Sequence, residues 1–332
     1  MRFTIFGAGA IGGVIGSRLF ETGQDVQLVA RGPHADAIAA DGLTVRSPEG
    51  DVTVAVPVVD SDAGLDDLRL GPDDVVIVAV KSDATIGVVD ALARVAPPSV
   101  HIVCAQNGVE NERVALRSFA NVQAMCVMMP AEHLEPGVVV AYASPIPGLL
   151  DVGRFPGGID DITEAIAAAL TSAGFESIAR PDVMRWKYAK LLMNLGNVIE
   201  AASGLEGRGL DVASAARREA RTCYEAAGID VASGEEDRER RGDKIGIGEI
   251  DGAVRGGGST WQSLARSTGR IETDFLNGEI VLLGRLHGVA TPVNEQLAAL
   301  GHELLATGAA PGSIDPDDLA ARFTTPTRPE LA

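Results

Sequence analysis

Gly7, Gly9 and Gly12 fall in the run Arg2-Phe3-Thr4-Ile5-Phe6-Gly7-Ala8-Gly9-Ala10-Ile11-Gly12, and an apolar helical pattern continues through Ile15 and Leu19 to Gly23. Strand, glycine turn and helix in this order suit the pyrophosphate of a dinucleotide. Gly7 permits the tight turn, Gly9 lets the backbone approach the phosphates, and Gly12 lets the helix pack closely on the strand. The helix start at Ala10 and Ile11 then offers unpaired N–H groups and the positive end of the dipole to the anion. Arg31 is the second chemical signal, because it closes the next strand, Asp25–Arg31. An acid at that place binds the ribose 2′-OH of NAD, whereas an arginine with its fork of donors accommodates a 2′-phosphate. The cofactor expected is therefore NADPH/NADP+.

The C-terminal half has two further clusters. Lys190 and Asn194 lie four apart in Lys187-Tyr188-Ala189-Lys190-Leu191-Leu192-Met193-Asn194, so on a helix they leave one face, a turn apart. Leu191, Leu192 and Leu195 take the neighbouring face as core. A lysine on such a helix can simply snorkel to solvent, or with Asn194 in a cleft it can serve chemistry; the spacing alone is compatible with both. The second cluster runs from Ser259-Thr260-Trp261-Gln262-Ser263 to Ile271-Glu272-Thr273-Asp274-Phe275-Leu276-Asn277-Gly278. Glu272, Asp274 and Ser259 suit helix caps as well as a site. Gly278 within a helical pattern suggests a close helix–helix approach.

These residues need elements to position them. After Arg31, Gly42–Arg46 and Val52–Val56 read as a hairpin around Ser47-Pro48-Glu49-Gly50-Asp51. Asp74–Val80 is a continuous apolar run ending in Lys81-Ser82, and Val100–Ala105 ends in Gln106-Asn107-Gly108. Strand Val122–Val127 follows another helix. Strands alternating with helices imply a doubly wound parallel sheet, which binds ligands beyond its carboxyl strand ends. Gly7, Arg31, Lys81 and Asn107 are all expected there. Gly137–Val152 reads as two strands around Pro145-Ile146-Pro147-Gly148, Ile162–Ala173 as a helix and Phe175–Ile178 as a short strand. Beyond Pro181 the pattern is helical over Asp182–Ala202, Val212–Ala227, Thr260–Ser267, Asp274–His287 and Val293–Thr307. The expected organisation is an α/β Rossmann-type domain over 1–180 and a helical substrate and dimerisation domain over 181–332, with a poorly ordered tail from about 310. The charge run Glu235–Lys244 reads as a solvated loop or helix end, and Gly256-Gly257-Gly258 as a hinge or loop.

Composition narrows the partners. A net charge of −18 over 332 residues disfavours nucleic acid and anionic membranes. No apolar run is long enough to span a bilayer and the N-terminus has no signal pattern, so the expected location is cytoplasmic. Cys104, Cys126 and Cys223 are widely spaced, odd in number and without CxxC spacing, which reads as reduced, buried thiols and no metal site.

Taken together, the chain resembles the ketopantoate reductases (2-dehydropantoate 2-reductases) along nearly its whole length. The resemblance rests on Gly7-Ala8-Gly9-Ala10-Ile11-Gly12-Gly13, Arg31, Val80-Lys81-Ser82, Gln106-Asn107-Gly108, Lys190-Leu191-x-x-Asn194, Glu272-x-Asp274-x-x-Asn277-Gly278, His287-Gly288 and Pro292-x-Asn294. It implies a Rossmann domain followed by a helical domain, an active site in the cleft between them, and NADPH-dependent reduction of a 2-oxo acid in pantothenate synthesis. It also implies a possible homodimer through the helical domain. Carried over by residue, Lys190 is the general acid at the ketone oxygen, and Glu272 holds that lysine and the nicotinamide side. Asn107, Asn194, Asn197 and Ser259 bind the substrate, and Lys81 lies near the cofactor phosphates. The chain departs from the family in three places. Asn197 is offset by one residue from the family's second asparagine, with Val198-Ile199-Glu200 beyond it; Ser263 stands where an Asp is common; and one residue is inserted before Glu272. The departures fall where substrate choice is shaped. The alternatives are a paralogue reducing another ketone or an imine, or a non-catalytic NADP-binding protein; the latter would need neither Lys190 nor Glu272.

Overall fold

The computed structural model describes residues 1–252, 256–267 and 269–324. Two compact units form, Met1–Lys187 with Ala232–Arg255, and Tyr188–Val231 with Gly256–Ala332. In chain order the strands and helices of the Rossmann-like part are β1 (Arg2–Phe6), α1 (Ala10–Glu21), β2 (Asp25–Ala30), α2 (Gly32–Asp41), β3 (Leu43–Arg46), β4 (Val52–Val54), β5 (Val58–Asp60), β6 (Val75–Val78), α3 (Thr85–Val95), β7 (His101–Cys104), α4 (Asn111–Leu116), β8 (Asn121–Met128), β9 (Ala131–Glu132), β10 (Val138–Ala141), β11 (Ala143–Pro145), β12 (Leu149–Arg154) and α5 (Asp161–Ser172). There follow α6 (Val183–Asn194), α7 (Asn197–Ser203), α8 (Asp211–Ala227), α9 (Gly234–Arg241), β13 (Ile245–Ile247), α10 (Ser259–Ala265), α11 (Asn277–His287), α12 (Pro292–Thr307) and α13 (Pro316–Thr324).

The main sheet has the order β12-β8-β7-β6-β1-β2-β5. All its pairings are parallel except β12 on β8. Strands such as β6 are buried on both faces, as expected of apolar runs sandwiched between helices. The chain runs from β1 to β2 on one side and later enters β6 on the other. The gap beyond the carboxyl ends of β1 and β6 is therefore the topological switch point, where such sheets bind ligands.

Around this frame the sequence expectations hold in outline and shift in detail. The hairpin forms as β3 and β4, but it joins β10 and β9 in a second sheet of order β4-β3-β10-β9. The Gly137–Val152 stretch makes three strands instead of two. Residues 175–178 form no strand, only isolated bridges at Glu176 and Ala179. Of the region expected to be wholly helical, Ile245–Ile247 forms β13, paired antiparallel with β11.

The charge run 235–244 forms α9 and its end, and none of its residues is buried, as a solvated helix end requires, but it is tied down by ion pairs. Ser233 and Glu236 cap α9 reciprocally, and Arg240 donates to Asp151 at 2.9 and 2.6 Å and to Glu176 at 2.8 Å. The buried Asp151 carboxylate draws the arginine in.

The helical unit follows the expected segments with one break. Instead of one helix over Asp182–Ala202, α6 stops at Asn194 and α7 begins at Asn197. Asn277 Nδ2 donates to Leu195 O in the break at 3.1 Å, so a side chain serves the carbonyl there. Gly278 is not at a tight crossing, since a Cβ there would meet nothing nearer than Thr273 O at 3.5 Å. The tail is partly ordered: Gly312 and Ile314 donate to Ala201 O and Ala202 O, and α13 buries Leu319 completely. Residues 325–332 of the expected tail lie outside the described residues. Among the described residues no helix is long and apolar enough to cross a membrane.

Candidate active site

The glycine turn is built as its spacing requires. Gly7 has φ +103°, and a Cβ there would stand 2.8 Å from Val80 Cγ1 and 3.0 Å from Val80 N. At Gly12 a Cβ would overlap Gly7 O and lie 2.8 Å from Ile5 Cγ2. The first strand end, the helix and the loop after β6 can meet only without side chains at these two positions. Gly9 is the N-cap of α1 and has no side chain to cap the first turn. The amides from Ala10 and Ile11 onward thus form an anion cradle, which fits a dinucleotide pyrophosphate.

Arg31 directly follows β2, is exposed and is the N-cap of α2. Lys81 follows Val80, the residue packed against Gly7, and is half-buried. Asn107 lies in the turn after β7, and its carbonyl accepts from Ser82 Oγ at 3.2 Å and Asn111 Nδ2 at 2.9 Å. The turns carrying Lys81 and Asn107 are thereby tied together at the carboxyl edge of the sheet. Gly7, Gly9, Ala10, Ile11, Gly12, Arg31, Lys81 and Asn107 all belong to this one edge of the first unit.

Some of the site's support comes from residues that spacing did not single out. His34 Nδ1 accepts from Gly137 N at 2.9 Å, so its proton sits on Nε2, which donates to Ala8 O at 2.7 Å. The ring packs on His133, whose Nδ1 lies 3.6 Å from where a Gly9 Cβ would stand. Beneath the Asn107 turn, Thr85, Gln106 and Asn111 form a closed side-chain network, with Gln106 Nε2 donating to Thr85 Oγ1 and Thr85 Oγ1 to Asn111 Oδ1, both at 2.7 Å. Lys187 reaches the same turn, donating to Gln106 O at 3.0 Å and to Glu112 at 2.5 Å. Burial, then the Glu112 carboxylate, push the Cys104 thiol well above its ordinary range, and Lys187 only partly offsets this. All three cysteines are free and buried, and Cys104 is an inert core thiol.

In the second unit, Lys190 and Asn194 occupy α6 one turn apart, Lys190 half-buried and Asn194 buried, with Leu191, Leu192 and Leu195 in the core. Asn197 opens α7 and Ser259 opens α10. Ser259 Oγ donates to Glu272 Oε2 at 3.0 Å, and Glu272 is 5% exposed. Glu272 is not a helix cap through its side chain, so the capping alternative does not account for it. Asp274 is exposed and contacts His302, while Asn277 has the structural role at Leu195. Ser263 donates to Ser259 O at 2.9 Å. Ser259 and Glu272 are thus brought together, with Asn197 facing the residue before Ser259, since its Oδ1 lies 3.9 Å from where a Gly258 Cβ would stand. Among the described residues no group of three or more His, Cys, Asp or Glu could hold a metal.

The profile described as "Ketopantoate reductase PanE/ApbA" matches residues 3–157, and that of its C-terminal part matches residues 182–304. A 2-dehydropantoate 2-reductase of Pyrococcus horikoshii is 26% identical over 90% of this chain and 96% of its own. One from Mesorhizobium japonicum is 29% identical over 92% of this chain and 98% of its own. The crystal structure of a PanE/ApbA family ketopantoate reductase from Ralstonia eutropha JMP134, 28% identical, covers 93% of this chain and 99% of that one, with a TM-score of 0.76. D-mandelate dehydrogenase in complex with NADH and anilino(oxo)acetate, 20% identical over 93% of this chain and 99% of that one, shares the fold at a TM-score of 0.76. Because the two profiles together span most of the chain in their own order, this chain belongs to the ketopantoate reductase family, oxidoreductases acting on CH–OH groups.

Proposed function

We propose that this protein reduces 2-dehydropantoate to pantoate with NADPH. The observation that carries the reading is the Ser259 hydroxyl on the buried Glu272 carboxylate in a chain that also holds Lys190 on its half-apolar helix and the uncapped glycine turn. NADPH, when bound, supplies the hydride. The glycine turn holds the pyrophosphate, Arg31 takes the 2′-phosphate and Lys81 lies with the phosphates. Lys190 donates a hydrogen bond to the ketone oxygen, stabilises the negative charge that develops there, and gives up its proton to form the hydroxyl. Glu272 favours the charged form of Lys190 by opposite charge and also serves the nicotinamide side. Asn107, Asn194, Asn197 and Ser259 hold the substrate's carboxylate and hydroxyl.

A second reading, a different 2-oxo acid or an imine reduced by the same lysine, is favoured by Val198-Ile199-Glu200 after Asn197. The same proposal places the enzyme in the cytoplasm, consistent with three free buried cysteines. It also makes the enzyme a homodimer through its helical unit, where Leu282 and Leu286 stand exposed a turn apart.

The test is NADPH oxidation against a panel of 2-oxo acids, with 2-dehydropantoate expected to give the highest kcat/KM. Lys190→Ala is expected to cut turnover by ~10²–10⁴-fold with NADPH affinity kept. Glu272→Ala should also lower turnover, and the two losses should not add. Near-normal turnover by Lys190→Ala would end the assignment.

A further inference from the structure

We infer that Glu200 is a positioning residue that sets Ser259 for the 2-oxo acid, acting through the backbone of Gly258; the inference rests on the reductase reading above. Glu200 belongs to the stretch in which this chain departs from its family, and nothing in the reductase mechanism uses it. It sits three residues after Asn197 on α7, so the two side chains share one helix face. That face meets the loop ahead of α10. Glu200 Oε1 accepts the Gly258 N–H at 2.8 Å. A Cβ on Gly258 would stand 3.7 Å from Glu200 Oε2 and 3.9 Å from Asn197 Oδ1.

The burial gives this contact weight. Glu200 is 5% exposed, and a carboxylate withdrawn from water is costly unless hydrogen bonds hold it. The loop it grips cannot be held by side chains of its own. Gly256 and Gly257 run under the Trp261 indole, where a Cβ on Gly257 would stand 2.5 Å from Trp261 Cγ. Of the hinge or loop that three glycines suggest, a loop forms, clamped from outside at Gly258. The next residue is Ser259, whose carbonyl accepts from Ser263 Oγ and whose hydroxyl donates to Glu272. Ser259 is therefore held by Glu200 through the Gly258 N–H, by Ser263 on its carbonyl and by Glu272 on its hydroxyl. Removing the first frees the Gly257–Gly258 peptide, one residue ahead of the serine, and with it the start of α10 that aims the hydroxyl.

Two nearly isosteric variants separate this role from a general packing role. Glu200→Met keeps the volume and loses the acceptor, whereas Glu200→Gln keeps an oxygen that accepts the same N–H. Glu200→Met is expected to raise KM for the 2-oxo acid by roughly ten-fold or more, the loss of a hydrogen bond to a charged group, with NADPH affinity unchanged. Glu200→Gln is expected to restore KM most of the way. In a Ser259→Ala background, Glu200→Met should add little, because its effect runs through Ser259. Hydrogen exchange is read on the same proteins: the Gly258–Gln262 amides should exchange faster in Glu200→Met and at the parent rate in Glu200→Gln. An unchanged KM in Glu200→Met, losses that multiply with Ser259→Ala, or unchanged exchange would each overturn the inference. If the parent protein does not reduce 2-dehydropantoate, the functional reading fails, and the exchange measurement still decides on Glu200.

Discussion

Lys187 lies three residues before Lys190 on one helix, and its own partners are core groups. Lys187 is 2% exposed and Glu112 is fully buried, so their 2.5 Å pair is withdrawn from water. Such a pair adds little net stability over apolar residues, but removing one partner strands a buried charge at a cost of about 3–5 kcal/mol. Lys187→Met should therefore lower unfolding stability by roughly that amount, and Lys187→Met with Glu112→Leu should regain most of it. Urea unfolding decides this, and a double variant as weak as the single would refute it. Arg31 is the opposite case, exposed and proposed above to take the 2′-phosphate. Arg31→Ala should weaken NADPH roughly ten- to hundred-fold, the worth of a charge-assisted contact to phosphate, and leave NADH nearly untouched. Equal Michaelis constants for the two cofactors in the parent protein would remove Arg31 as the discriminator. Arg31, Lys81 and Asn107 are legible in the sequence because each stands within three residues of a strand end, after β2, β6 and β7. Lys187 and Glu200 are not, since their partners, Glu112 and Gly258, lie 75 and 58 residues away and no periodicity reports such a distance.

The same limit governs the strands and helices. Apolar runs on β1, β6 and β7 announce a parallel sheet from local sequence alone. The break between α6 and α7 does not show in periodicity, because its Leu195 carbonyl is served by Asn277 from far along the chain. The run 235–244 is a partly exposed helix end, as its charges suggest, but its partners could not be read from it for a related reason. Its charges suit solvent, yet α9 and β13 are drawn onto the sheet by Asp151 and Glu176, with Arg240 between them and Lys244 on Glu176 at 2.7 Å. Hydrogen bonding from Lys244 holds the Glu176 carboxyl below its ordinary 4.5 against the upward push of burial, and Arg240 adds to the lowering. With a folded pKa below the unfolded one, Glu176 contributes stability above about pH 4.5 that is lost as pH falls through the folded value. Protection factors of the 232–252 amides, with the intrinsic pH dependence of exchange removed, should thus fall on acidification into that window. Glu176→Gln should flatten the acid dependence, and a variant with the parent's acid response would exclude Glu176 as its source.

The chain as a unit is strongly acidic, with a net charge of −18, yet the cofactor proposed for it is an anion. Binding must therefore come from local groups: the glycine turn, Arg31 and Lys81, which all lie in Met1–Lys187. The edge of the sheet that carries them is assembled only in the folded state, because the turns after β1, β2, β6 and β7 are scattered over a hundred residues of sequence. A ligand that binds only the folded chain stabilises it by mass action, by about 2.7 kcal/mol at a free concentration of 100 times Kd. For a chain of 332 residues each kcal/mol raises the melting temperature by roughly 2 °C, so saturating NADP+ should raise it by about 5 °C. NAD+ at the same concentration should raise it much less, and in Arg31→Ala the two dinucleotides should become alike. Gly12→Val, which forces a side chain into Gly7 O and Ile5, should abolish both shifts. Equal shifts from NADP+ and NAD+ in the parent protein would show that the 2′-phosphate is not recognised, and would detach the choice of cofactor from Arg31.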